Sequence, residues 1–137
     1  MKITSIEGLG SQLYRQYGHE PQEHCWVLSV NTQMETLDYV QVALGTINHV
    51  TIHPRDVFRR LVSVNAYGFI LVHNHPGGGL EPSEADMRVL QQFIACSSLM
   101  QIHLLDFMII SKRGYYSVRT KQNWPEISLN SLLDLWT

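Results

Sequence analysis

The chain has 137 residues, enough for one domain whose core needs no disulfide or metal to hold it. Hydrophobic residues make up 45% and charged residues 16%, a globular rather than a disordered balance. Ten basic against twelve acidic side chains leave a net charge of -2, which carries no electrostatic footprint of nucleic-acid binding.

The start, "MKITSIEGLG", lacks the charged-then-apolar pattern of a signal peptide, and no apolar run approaches the ~18 residues of a membrane span. Cys25 and Cys96 lie far apart in apolar surroundings with no C-x-x-C, and read as buried free thiols. Together these point to a cytoplasmic protein that makes no membrane contact.

In chain order, "SQLYRQYG" (11–18) predicts a short amphipathic helix ending at Gly18. "EHCWVLSVN" (23–31) and "LDYVQVALG" (37–45) predict two strands, with the polar "NTQMET" as their hairpin connection. "HPRDVFRRLVSVNA" (53–66) opens on a proline suited to a first helical turn, with Val57, Phe58, Leu61 and Val62 on one face and Gly68 as the stop. "FILV" (69–72) is wholly apolar, as in a central strand covered on both faces. After a glycine-rich loop, "PSEADMRVLQQFIACSSLM" predicts a helix capped by Ser83, with Met87, Leu90, Phe93 and Ile94 inward. "IHLLDFMII" (102–110) and "GYYSV" (114–118) predict two strands about a turn at "SKRG". The basic cluster Lys112, Arg113, Arg119 and Lys121 reads as a solvated hairpin. The tail over 127–137 reads as a closing helix or a docking segment. Strands alternate with helices, so the fold class is α/β (α+β) with a mixed β-sheet flanked by helices.

One stretch, "LVHNHPGGGLEPSEAD" (71–86), stands apart. Residues two apart on an extended chain face the same side, so His73 and His75 project together and Asn74 points away. Asp86 falls in the first turn of the next helix, and the flexible loop can fold it back to the same point. Two imidazoles and a carboxylate suit zinc, and three protein ligands leave a fourth position for water, as in a catalytic site. Taken singly, the parts are unremarkable: an H-x-H is common, Ser83 and Asp86 can form a capping box, and glycines can mark an ordinary loop. Together, following a buried strand, they point to a metal site. Other H-x-H chemistries do not fit. Amidohydrolase barrels need ~250 residues; nucleobase deaminases need H-x-E with P-C-x-x-C; zincins need H-E-x-x-H.

"HNHPGGGLEPSEAD" resembles the metal motif of the JAB/MPN (JAMM) superfamily, H-x-H-x7-S-x2-D, and "GTINHVTIHPRDVFRRLVSVNAYGFILVHNHP" is similar to its RadC-like branch. The resemblance spans about residues 20–120. It implies a JAB/MPN (cytidine-deaminase-like) architecture, here as a single stand-alone domain over 1–137 without the branch's N-terminal helix-hairpin-helix region. It also implies Zn2+ held by His73, His75 and Asp86, with Ser83 stabilising the oxyanion or the bound water. Glu23, in "QEHCWVL", takes the place of the superfamily's catalytic glutamate. From the residues alone, Glu20 and Glu35 are equal candidates for that role. Two positions depart from the branch: Gly77 stands where serine is usual, and Phe107 where histidine is usual.

The activity so implied is hydrolysis of a peptide or isopeptide bond, the substrate being a peptide or protein such as the tail of a ubiquitin-like partner. A sheet edge would hold it by strand addition. The resemblance also admits a homodimer. Two other readings stand beside this one: a RadC-type DNA-metabolism factor without proteolysis, and an inactive JAB scaffold. The acidic balance argues against the first through direct DNA binding, and the intact metal motif argues for hydrolysis.

Overall fold

A computed structural model describes residues 1–44, 52–124, 130 and 134. In chain order these form α1 (Ile6–Tyr17), β1 (His24–Val30), β2 (Thr36–Leu44), α2 (Pro54–Ser63) and β3 (Gly68–Asn74). After them come α3 (Glu84–Met100), β4 (His103–Ser111), β5 (Gly114–Ser117) and the single turn α4 (Val118–Lys121). The five strands make one mixed sheet in the order β2-β1-β3-β4-β5. β3 is antiparallel to β1 and parallel to β4, while β1–β2 and β4–β5 are antiparallel pairs. This is the mixed-sheet α+β architecture expected of a JAB/MPN fold. The tail over 127–137 lies outside the described residues except for Asn130 and Asp134, both helical.

β3 organises the molecule. All seven of its residues are buried, because both faces of the sheet are covered. Phe69 and Leu71 enter one core with Val57, Phe58 and Leu61 of α2 and Leu90 and Phe93 of α3. Ile70 and Val72 enter the other, with Leu9 and Leu13 of α1, Trp26, Met108 and Ile110. Phe58, Phe69 and Phe93 meet as an aromatic trio with centroids 5.4 to 6.2 Å apart, locking α2 and α3 onto β3. Burying each such ring contributes roughly 2–3 kcal/mol. The same alternation runs on past the apolar residues: His73 continues the odd-numbered set toward α3, and Asn74 the even-numbered one.

Three expectations need correction. α1 begins at Ile6, not at residue 11. Ser5 caps it, its side chain accepting the Gly8 N–H at 3.0 Å, and Gly10 is required because a Cβ there would lie 2.5 Å from the Tyr115 ring. Gly68 does not close α2. That helix ends at Ser63, Asn65 takes a left-handed φ of 54°, and Gly68 starts β3, where a Cβ would meet the His103 carbonyl at 2.9 Å. Val62 is 54% exposed, since the helical turn after Leu61 carries it off the apolar face.

Candidate metal centre

The strand delivers the first two donors. His73 is the sixth residue of β3 and 2% exposed. His75 lies just past the strand, but its N–H still donates to the Ile110 carbonyl at 2.7 Å, so the chain stays extended and both imidazoles face α3. The rings meet edge to face, with centroids 4.9 Å apart and planes at 82°.

The glycine loop delivers the third. The Gly78 N–H donates to the His75 carbonyl at 3.1 Å, closing a tight turn, and Gly78 takes a φ of +96° that favours glycine. A Cβ on Gly78 would also press on Lys112 at 2.8 Å, where the β4–β5 turn approaches the loop. The chain then enters α3 at Ser83. The Asp86 N–H donates to Ser83 Oγ at 3.0 Å, and the Ser83 N–H donates to Asp86 Oδ2 at 2.8 Å. That capping box aims the Asp86 carboxylate at the histidines.

His73, His75 and Asp86 therefore converge, with one donor atom from each lying within 4.8 Å of the others, and the trio can hold a metal ion. His75 Nε2 is 3.1 Å from Asp86 Oδ2, and His73 Nε2 is 3.8 Å from Asp86 Oδ1. Donors at 2.0–2.1 Å from a tetrahedral zinc ion lie about 3.3–3.4 Å apart, between these two distances. The orientation fits as well. His73 Nδ1 faces the His24 carbonyl at 2.8 Å and His75 Nδ1 faces the Gly79 carbonyl at 3.0 Å. Each Nδ1 must donate to its carbonyl, so in neutral imidazole each Nε2 presents a lone pair. His75 Nε2 then faces a carboxylate oxygen, acceptor against acceptor, and only a proton or a metal cation between them makes the contact favourable.

The electrostatics follow from that arrangement. Burial opposes charge on His75, but the Asp86 hydrogen bond and charge, with the Gly79 carbonyl and Glu23, hold its pKa above the ordinary imidazole value. Burial prevails at His73 and lowers its pKa, although the His24 carbonyl and Asp86 act the other way. Burial works against the Asp86 carboxylate too. The His75 and Ser83 hydrogen bonds and the imidazole charges nonetheless bring its pKa below the usual value. Cys25 is paired with His73 across the β1–β3 ladder, but burial, with the Asp86 charge adding, pushes its thiol up to about 12. It stays a neutral core thiol. Cys96, also free, is only partly buried.

Glu23 stands immediately before β1, and its negative charge favours the protonated form of both His73 and His75. Glu20 lies 3.5 Å from the His24 ring, and Glu35 accepts from the Asn31 side chain at 3.2 Å in the β1–β2 turn. Ser83 is exposed at the α3 N-cap, beside Asp86. The two departures from the branch leave the donors in place. Phe107 is fully buried in the core opposite Leu71, and a side chain on Gly77 would meet nothing within 4 Å. Sequence reasoning missed the two carbonyls that orient the imidazoles and gave Asn74 no part. Asn74 is 1% exposed, and its amide is satisfied by main chain fifty residues earlier.

Comparison with known proteins places the chain among relatives of one family. A "UPF0758 protein" of Chlorobium phaeovibrioides is 45% identical over 118 residues, covering 86% of this chain and 53% of its own length. A "UPF0758 protein" of Chlorobium luteolum is 45% identical over 100 residues, covering 73% and 45%. A third from Pelodictyon phaeoclathratiforme is 43% identical over 118 residues, covering 86% and 53%. The chain thus spans about half the length of the curated relatives it matches. Among the described residues no helix is long and apolar enough to cross a membrane. The profile of the RadC-like JAB domain matches residues 3–124, reaching back through α1 beyond the expected resemblance, and the chain belongs to that family.

Proposed function

We propose that this chain is a zinc-dependent hydrolase of the JAMM type that cleaves a peptide or isopeptide bond. The observation that carries the reading is the pair of acceptors, His75 Nε2 and Asp86 Oδ2, facing each other at 3.1 Å with His73 beside them. Two imidazoles and one carboxylate suit zinc and leave a fourth position open. When bound, zinc would supply a Lewis acid that lowers the pKa of water to about 7.

The chain's own groups do the rest. Glu23 takes the proton of the attacking water and returns it to the leaving amine. Ser83 donates its hydroxyl hydrogen to the carbonyl oxygen as negative charge develops there; accepting from the Asp86 N–H leaves that hydrogen available. The substrate is an extended peptide or protein segment, the tail of a ubiquitin-like protein among them, added as a strand to a free sheet edge. We place the enzyme in the cytoplasm, where its free thiols stay reduced.

Metal analysis of the purified protein, joined to cleavage of a proteome-derived peptide library and trapping with a Glu23→Gln variant, tests the reading. One zinc per chain and cleavage that needs it are expected. Zinc without turnover would favour an inactive scaffold, and salt-dependent retention on DNA without turnover a DNA-metabolism factor.

A further inference from the structure

The β1–β3 ladder runs from Val30 opposite Gly68 to Cys25 opposite His73. One residue further on, the side chain of Asn74 takes over from the main chain. Its Oδ1 accepts the His24 N–H at 2.6 Å, and its Nδ2 donates to the Gln22 carbonyl at 2.8 Å. The residue between those two contacts is Glu23. We propose that Asn74 is a positioning residue, gripping the main chain on both sides of Glu23 so that its carboxylate is held over the metal centre.

Several features favour this over simple strand termination. Asn74 is 1% exposed, and a buried amide is tolerated only when both its ends are satisfied, as here. The grip needs a donor and an acceptor in one plane at short reach. Asparagine alone meets that demand: glutamine is a methylene longer, aspartate lacks the donor, and leucine lacks both. The adjacent His73 adds a third contact, its Nδ1 donating to the His24 carbonyl at 2.8 Å. Consecutive residues of β3 thereby fix both main-chain polar groups of His24, one through a metal-site imidazole and one through Asn74. Without the amide, Glu23 would sit at the end of the connection from α1, which has no strand partner among the described residues before His24. A general base must lie within hydrogen-bond reach of its proton, and a displacement of about 1 Å can cost ~10²-fold in rate.

This rests on the hydrolytic reading above, so the test is built to separate the two. Zinc content, turnover of the best-cleaved peptide of the library and amide exchange at His24 are measured for wild type, Asn74→Ala, Glu23→Gln and the double variant. Asn74→Ala should keep one zinc per chain and lose about 10- to 100-fold in kcat with little change in KM. The Glu23→Gln background should absorb that loss, leaving less than about a twofold further effect, because both changes act through one group. The His24 amide of the zinc-loaded variant should exchange at least about tenfold faster. Asn74→Ser, whose shorter hydroxyl can keep part of the hydrogen bonding without burying a charge, should fall between, and it serves if the alanine variant does not fold. Losses that multiply in the double variant, unchanged kcat, or loss of zinc would overturn the assignment. If wild type binds zinc but cleaves nothing, the hydrolytic reading fails by itself. Exchange at His24 then decides the grip: faster exchange in Asn74→Ala upholds it, and unchanged exchange overturns it.

Discussion

Ser83 and Asp86 cap one another, the Asp86 N–H donating to Ser83 Oγ at 3.0 Å and the Ser83 N–H to Asp86 Oδ2 at 2.8 Å. One pair of residues therefore both starts α3 and aims a carboxylate at two imidazoles. Ser83→Ala separates the roles. As a cap alone, Ser83 is worth about 1 kcal/mol of stability, and turnover per folded molecule would hold. As an oxyanion donor it is worth about 10²–10³-fold in turnover. We expect both losses, measured as thermal stability and turnover on one preparation. A less stable variant with full turnover would remove Ser83 from the chemistry.

His75→Ala should abolish stoichiometric zinc while most of the fold persists. The two cores on either side of the sheet contain neither His75 nor Asp86. Metal analysis and a far-UV spectrum check this together. Full zinc occupancy in the variant would mean that the ion sits elsewhere.

Glu23→Gln should retain one zinc and lose at least ~10²-fold in hydrolysis, the scale of a general base. Glu20→Gln and Glu35→Gln should change turnover little, since their carboxylates contact the His24 ring and the Asn31 side chain. If zinc left along with activity in Glu23→Gln, the residue would be a ligand or a structural support.

The two imidazoles depart from the ordinary value of 6.5 in opposite directions, His75 upward and His73 downward. In the metal-free protein, the stability contributed by charged His75 is present below the unfolded value and lost as pH rises through its raised folded one. The contribution of neutral His73 is present above the unfolded value and lost as pH falls through its lowered folded one. The metal-free site should therefore stabilise most near pH ~6.5. Zinc requires neutral imidazoles, so affinity should fall with pH, beginning at His75. Melting curves across pH, with zinc and with chelator, should diverge as pH rises; parallel profiles would contradict the ligand set.

The centre of the fold was legible because β3 is apolar on both faces and bounded by a glycine and a polar loop. The converging histidines followed from the two-residue repeat of an extended chain. The first turn of α1 was hidden by Gly8 and Gly10, poor helix formers; the reason for Gly10 lies in Tyr115, a hundred residues away. Glu23 could not be told from Glu20 or Glu35 without the family resemblance, since only tertiary placement separates three carboxylates on early polar stretches. Asn74 was missed for the same reason. Its partners are Gln22 and His24, and nothing local marks a side chain that bonds main chain so distant.

His75 and Asp86 stand eleven positions apart, and the segment between them is largely glycine, proline and exposed polar chain. An ion shared by the two would fasten that segment at both ends, as a crosslink does, removing much of the freedom the unfastened ring would otherwise keep. The connection from β3 into α3 would then report the metal mechanically. A protease should cut within 76–82 in the chelated protein and spare that stretch in the loaded one, while the buried strands resist in both.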